Sequence, residues 1–228
     1  MTKKNDTIYA ISTPPGKSAI AVMRISGKTA YQSVKKMSKS MPKKANQSIV
    51  NKLYDKSGLI IDQTITTFYR SPKSYTGEDM VELSFHGGSA TISKFIKEYK
   101  KHKSVRQAQP GEFTRRAFEN NKLDLIQVEA VADLINAETE EQRKEAYNQL
   151  GGDPSIKLKK IHTKLINTLA EAEAIIDFSD EELPKDVFKK IKEQIKNIIK
   201  DIDIYVNQGL KNKKIQNGYV VGIVGKTN

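Results

Sequence analysis

PGEFTRRAFENNKLDLIQVEAVADLINAETEEQ, residues 110–142, is the stretch in which the chain changes character. A Pro110-Gly111 turn leads into Glu112, Arg115 and Arg116, where a carboxylate near a helix start would meet the positive end of the backbone dipole. Asn120, Asn121 and Lys122 then break the pattern. From Leu125 onward, apolar residues at 125, 128, 131, 132 and 135 recur with helical spacing. Short alternating runs lie upstream of this stretch and long 3.6-residue periodicity lies downstream. The chain is therefore expected to be α+β, a mixed domain over residues 1–120 followed by an all-helical one over 121–217.

Upstream, Thr7–Ser12 and Ala19–Ser26 read as strands around the turn TPPGKS, and Thr29–Met37 has helical spacing. Ser48–Tyr54 and Ile65–Tyr69 read as further strands with a turn at Lys56–Gly58. Met80–Phe85 is another, closed by Gly87-Gly88. Ala90–Tyr99 is amphipathic, and Val105–Gln109 returns as a strand. Downstream, Glu138–Leu150 reads as a helix ended by Gly151-Gly152, and Pro154 suits the first turn of the next. Ile161, Leu165, Leu169, Ala172 and Ile176 form one stripe, expected to be core. After the acidic segment Asp177–Pro184, Val187, Ile191, Ile195, Ile198, Ile202 and Tyr205 form another. Two long antiparallel helices with acidic faces are expected.

Composition narrows the chemistry. There is no cysteine, and the three histidines, His86, His102 and His162, have no metal-ligand spacing. No apolar run reaches the roughly 20 residues needed to cross a bilayer, and no apolar segment follows the basic N-terminus, so a cytoplasmic location without membrane contact is expected. The net charge of +12 is uneven. Residues 1–120 hold 22 Lys/Arg against 9 Asp/Glu, and residues 121–228 hold 17 against 18. An excess confined to one half points to an anionic partner for that half; with six Arg among 39 basic residues, compositional bias supplies part of it.

The tail YVVGIVGKTN, residues 219–228, invites a phosphate-loop reading because Gly225-Lys226-Thr227 resembles the end of that motif. The motif also needs a glycine six residues before its lysine, and Val220 stands there. The better frame takes Gly225 as the first glycine of the loop, after a strand at Tyr219–Val224. Its second glycine, phosphate-binding lysine and Mg²⁺-binding hydroxyl would then fall past Asn228. The chain as given is expected not to hydrolyse GTP.

Three blocks in order, DTIYAISTPPGKSAIAVMRISG (6–27), SYTGEDMVELSFHGG (74–88) and the stretch quoted first, closely resemble the tRNA-modification GTPases called MnmE or TrmE. The resemblance implies a folate-binding and dimerising domain similar to that of glycine-cleavage T-proteins over 1–120. It implies the first part of a helical domain over 121–217 and the opening strand of a Ras-like GTPase domain over 218–228. Thr227 departs from the proline usual in the family. The whole protein is implied to form a homodimer and to act with the flavoprotein MnmG on tRNA. Together they would place an aminomethyl or carboxymethylaminomethyl group at C5 of the wobble uridine. A tetrahydrofolate would donate the carbon, and GTP would be hydrolysed with K⁺ and Mg²⁺.

Three residues match the family's 5-formyltetrahydrofolate contacts: Arg24, Glu82 and Lys122. Each has a plainer reading: an edge-strand arginine reaching solvent, a solvated carboxylate, and one of 33 lysines. A carboxylate at Glu82 could accept paired N–H bonds from a pterin, and the cations suit an anionic ligand or a formyl oxygen. Asn228 matches the family's phosphate-loop Asn, which contacts nucleotide and K⁺. The Glu112/Arg115/Arg116 cluster reads as structural, and the TPPGKS turn as ordinary turn chemistry whose exposed backbone N–H groups could line a pocket. Two other functions compete: a non-enzymatic basic RNA-binding fragment, and a dimerisation fragment.

Overall fold

In the computed structural model, residues 6–177 and 186–217 are described, together with Gly222, Val224 and Gly225. Two compact units divide the chain, Met1–Leu123 and Asp124–Asn228.

The first unit is a six-stranded sheet with two helices packed on one face. Its strands are β1 (Thr7–Ile11), β2 (Ile20–Ser26), β3 (Gln47–Tyr54), β4 (Ile60–Tyr69), β5 (Met80–His86) and β6 (Val105–Gln107). Their order is β3-β4-β5-β2-β1-β6. All neighbours are antiparallel except β1 and β6, which run parallel. Helices α1 (Ala30–Lys35), α2 (Ser89–Tyr99) and α3 (Glu112–Glu119) complete the unit.

Period-two alternation decides which side chains go where. Met23 and Ile25 of β2, Val81, Leu83 and Phe85 of β5, Phe68 of β4 and Tyr9 of β1 turn to one face. There they pack with Val34 of α1 and with Phe95 and Tyr99 of α2. Tyr99 stacks on Phe95 at 5.2 Å and meets Tyr9 edge-on at 5.1 Å. Its buried hydroxyl is bonded to Ser33 at 2.6 Å, which ties α1 to α2.

β4 begins five residues earlier than the sequence suggests, because its first half does not alternate apolar with polar. Its inward residues Thr64 and Thr66 are polar and buried, and Asn51 satisfies them across the strand pair. The Asn51 side-chain amide donates to Thr66 and the Thr64 hydroxyl donates to the Asn51 backbone carbonyl; such polar residues read from sequence as loop chemistry, yet they close a sheet layer here. β2 lies between β5 and β1, so Arg24 is not on an edge strand.

The second unit is helical: α4 (Leu125–Asn136), α5 (Glu140–Leu150), α6 (Asp153–Asp177) and α7 (Val187–Asn217). Capping boxes start α4 and α5, with Asp124 and Thr139 each accepting from the backbone three residues on while Gln127 and Gln142 reach back. α4 covers the expected stripe only in part: Val128 and Val131 are half-buried, while Leu125, Ala132 and Ile135 are exposed. Ala130 is its buried residue, with Ile126 and Leu134 half-buried in line with it.

α6 and α7 run antiparallel, as Lys164–Asp201 and Glu171–Lys190 pairs show. Their seam is narrower than the apolar stripes. It uses Ile161, Thr168 and Ile175 of α6 and Ile198 of α7, with Gln194 and Asp201 partly covered. Leu165, Leu169, Ile176, Ile195 and Ile202 stay exposed, which corrects the expectation that both stripes are core. The facing charges are mixed and not uniformly acidic. No described helix is long and apolar enough to cross a membrane.

Gly222, Val224 and Gly225 belong to no helix or strand. The rest of the strand expected at Tyr219–Val224, the acidic segment from Phe178 to Pro184, and Lys226, Thr227 and Asn228 lie outside the described residues.

Candidate ligand-binding site

The face of the sheet opposite α1 and α2 carries the polar half of the alternation. Arg24 on β2 and Glu82 on β5 are direct cross-strand partners, and Arg24 Nε donates to Glu82 Oε1 at 2.9 Å. Glu82 Oε2 accepts a longer bond from Tyr69 Oη at 3.3 Å. Burial, followed by the nearby Glu82 charge, pushes the Tyr69 phenol above its ordinary range. The Arg24 and Glu82 side chains are 27% and 21% exposed, so the pair is partly dried without being sealed. A carboxylate has about four lone-pair positions, and two bonds leave room for more. Both Arg24 Nη groups lack a hydrogen-bond partner among the described residues.

Aromatic rings frame the guanidinium. Its carbon lies 5.1 Å from the centre of the Tyr75 ring and 5.7 Å from that of Phe113, within cation–π range. Tyr75 belongs to the segment Ser74–Asp79 before β5 and Phe113 to α3. A 2.8 Å bond between Tyr75 Oη and Thr114 Oγ1 joins the two elements.

A buried ionic network locks that segment in place. Glu112, its side chain fully buried, accepts two bonds from Arg106, one from Arg116 and one from the Gln109 N–H. These donors, Arg106 foremost, hold its carboxyl down at about 2. Arg116 also donates to both oxygens of Glu78 at 3.1–3.2 Å and pairs with Asp6, as Arg106 does. Burial works against the Asp6 charge, but the two arginines prevail and lower its pKa. Ser26 of β2 bonds to both Thr76 and Glu78.

Gly77, at φ +77°, fixes the next contact. A Cβ there would lie 3.0 Å from Asn120 Cβ and 3.2 Å from Lys122 Cγ, so the Lys122 stem rests on a surface only glycine leaves open. Asn120 Nδ2 donates to the Thr76 carbonyl at 2.7 Å. One segment thus supports Arg24 through Tyr75 and Lys122 through Gly77.

Comparison with known proteins gives matches to both units. Residues 7–122 match the family model described as GTP-binding protein TrmE N-terminus, and residues 125–220 match the MnmE helical domain. The chain belongs to the MnmE (TrmE) family. Among relatives named tRNA modification GTPase MnmE, that of Dinoroseobacter shibae is 40% identical over 223 residues. The match covers 98% of this chain and 52% of the relative. The protein from Neorickettsia sennetsu is 41% identical, covering 97% and 40%, and that from Pelagibacter ubique 38%, covering 97% and 50%. The chain thus spans about half the length of the curated MnmE proteins it matches.

Of the residues expected from the MnmE resemblance, Arg24 and Glu82 are in direct contact. Lys122, exposed and without an ion-pair partner among the described residues, stands against the segment that carries Tyr75. Asn228 lies outside the described residues. The Glu112 and Arg116 cluster is structural, as expected, while Arg115 is exposed. The TPPGKS turn lines a separate open cavity of about 470 Å³ with Ile11, Ala21 and Ile92. Ala21 alternates with Arg24, so this cavity lies toward the helix-covered side. Tyr69, Tyr75 and Phe113 were not foreseen. Tyr75 and Phe113 lie inside two of the three motif blocks, which was the available signal. The described residues hold no cluster of His, Asp and Glu suited to a metal ion.

Proposed function

We propose that the first unit binds a reduced folate on the Arg24–Glu82 face, and that the longer protein to which this sequence corresponds is a tRNA modification GTPase. The observation that carries the reading is the Arg24–Glu82 pair, half-dried and ringed by Tyr69, Tyr75 and Phe113. A pterin offers a ring N–H beside an exocyclic amine, and the free lone pairs of Glu82 suit both. The flanking rings suit a flat heterocycle, and the Arg24 Nη groups and Lys122 suit a carbonyl or carboxylate oxygen.

Tetrahydrofolate would supply the one-carbon unit; Glu82, Arg24 and Lys122 would bind and orient it. In the proposed whole protein, the first unit has a T-protein-like fold and forms the homodimer. The flavoprotein MnmG is the partner, and the product is a carboxymethylaminomethyl or aminomethyl group at C5 of a wobble uridine in tRNA. GTP hydrolysis with K⁺ and Mg²⁺ belongs to a GTPase domain opened by residues 218–228, with Asn228 in its phosphate loop. The chain of residues 1–228 is proposed not to turn over GTP, and the protein to act in the cytoplasm.

The test is calorimetric titration with 5-formyltetrahydrofolate. Saturable binding is expected, lost in Glu82→Ala and weakened less in Arg24→Ala and Lys122→Ala, whose partners keep other contacts. Equal affinity in Glu82→Ala and the parent chain would remove the site from this face.

A further inference from the structure

Six lysines of the first unit gather on the layer opposite the folate face. Between Thr7 and Tyr54 the chain has no Asp or Glu at all, while it carries nine Lys or Arg. Three of these, Lys35, Lys36 and Lys39, sit on the last turn of α1 and just after it. A second group, Lys100 and Lys103, follows the end of α2. The contact between Ser33 and Tyr99 brings these two helix ends together. His102 lies within electrostatic reach of both Lys36 and Lys56, which adds the β3–β4 turn to the same neighbourhood. Lys39 lies over the Tyr54 ring at 5.0 Å. All six lysines are exposed, and none has an ion-pair partner among the described residues.

Two nearby carboxylates do not offset this excess. Asp55 is taken by Lys94 at 2.7 Å and Glu98 by Lys101 at 2.7 Å. Lysines at a helix C-terminus gain a little from the backbone dipole, which accounts for one or two of them and not for six from three elements. Grouped like charges repel each other unless counter-ions or a polyanion lie over them. The chemistry of the layer also selects among polyanions. α1 and α2, which carry five of the six lysines at or just past their ends, present no large apolar side chain outward, and the exposed apolar residues of the β3–β4 turn are confined to Leu59 and Ile60. A membrane-binding surface needs such side chains among its lysines. A phosphate backbone needs only spaced, flexible cations.

We propose that the lysine layer formed by the ends of α1 and α2 and the β3–β4 turn holds the phosphate backbone of the substrate tRNA. The proposal rests on the tRNA-modification reading above. It places RNA and folate on opposite faces of one sheet, so the layer contributes affinity and position, while base selection lies elsewhere.

The experiment measures tRNA binding to the 228-residue chain by fluorescence anisotropy across a salt series. Lys36→Gln, Lys56→Gln, Lys100→Gln and Lys103→Gln are combined in one variant. A second variant removes the same charge from α7 through Lys189→Gln, Lys192→Gln, Lys196→Gln and Lys200→Gln. The first should lose affinity by tenfold or more at about 0.15 M salt. Its plot of log affinity against log salt should flatten by about 3, at roughly 0.7–0.9 per lost phosphate contact. The α7 variant should match the parent, and circular dichroism and folate titration should match in all three.

Equal loss in both variants would mean general charge attraction and would overturn the proposal. So would no tRNA binding by the parent chain. Binding of anionic vesicles that the first variant loses while tRNA binding stays would reassign the layer to lipid. Folate binding reports separately: its presence beside a failed RNA result leaves the folate reading standing, and its absence beside a successful one does the reverse.

Discussion

Gly77 occupies a position where geometry and chemistry meet in a single missing methyl group. At φ +77° an alanine would carry about 1–2 kcal/mol of backbone strain, and its Cβ would press on Asn120 and Lys122. Gly77→Ala is expected to weaken 5-formyltetrahydrofolate binding about tenfold, near 1.4 kcal/mol, because Lys122 must move. Gly58 provides the control. It has φ +81° in the β3–β4 turn and nothing within 4 Å of its added Cβ, so Gly58→Ala should cost similar stability and leave folate affinity unchanged. Equal affinity losses in the two variants, read by calorimetry beside urea unfolding, would show that strain and not Lys122 placement is at work. The Arg24–Glu82 contact was only half legible in the sequence. Alternation put Glu82 opposite Val81 and Leu83, but the pairing spans 58 residues and depends on a strand register that no local pattern specifies. Tyr75 and Phe113 were hidden for the same reason, since each belongs to a loop or helix that the ionic network swings over β2.

At the level of elements, that network fastens α3, β6 and the segment before β5 through Arg116. Arg116→Met would strip Glu78 of its ion pair and leave Asp6 and Glu112 dependent chiefly on Arg106, at a cost of about 3–5 kcal/mol, measurable by urea unfolding of the first unit. Acid acts on the same joint. The native carboxyl of Glu112 is held at about 2, below its ordinary value. Its contribution is therefore complete above the unfolded value and is lost as pH falls toward 2. In Glu112→Gln that part of the acid dependence should disappear from a pH series of unfolding midpoints. At the capping box of α4, Asp124→Ala should cost about 1 kcal/mol. Both boxes could be read directly from sequence as Asp or Thr followed three places later by Gln. The buried face of α4 could not. Leu125–Val128–Val131–Ala132–Ile135 and Ile126–Ala130–Leu134 both obey helical period, and packing divides burial between them, with Val128 and Val131 half-buried on the first and Ala130 buried on the second. The β4 start was missed because its inward side chains are threonines, whose burial depends on Asn51 one strand away.

For the whole molecule, unburied apolar surface is the notable quantity. Leu125, Ile135, Leu165, Leu169, Ile176, Ile195 and Ile202 are all exposed, and contiguous patches of this kind promote association. Sedimentation velocity of the 228-residue chain should show concentration-dependent self-association, reduced when Leu169→Lys and Ile195→Lys are introduced together; a monomer at every concentration would contradict this. The first unit makes a different demand. β1 pairs with β6, Thr7 opposite Val105, and Asp6 is held by Arg106 and Arg116. Asp6 and Thr7 are thus secured by residues about a hundred places later. At roughly 5–20 residues per second of synthesis, β1 would wait about 5–20 s on the ribosome with one edge open. Completion of this unit is then timed by the emergence of α3, and a nascent chain interrupted before Ser104 would expose a strand ready to pair with a neighbour.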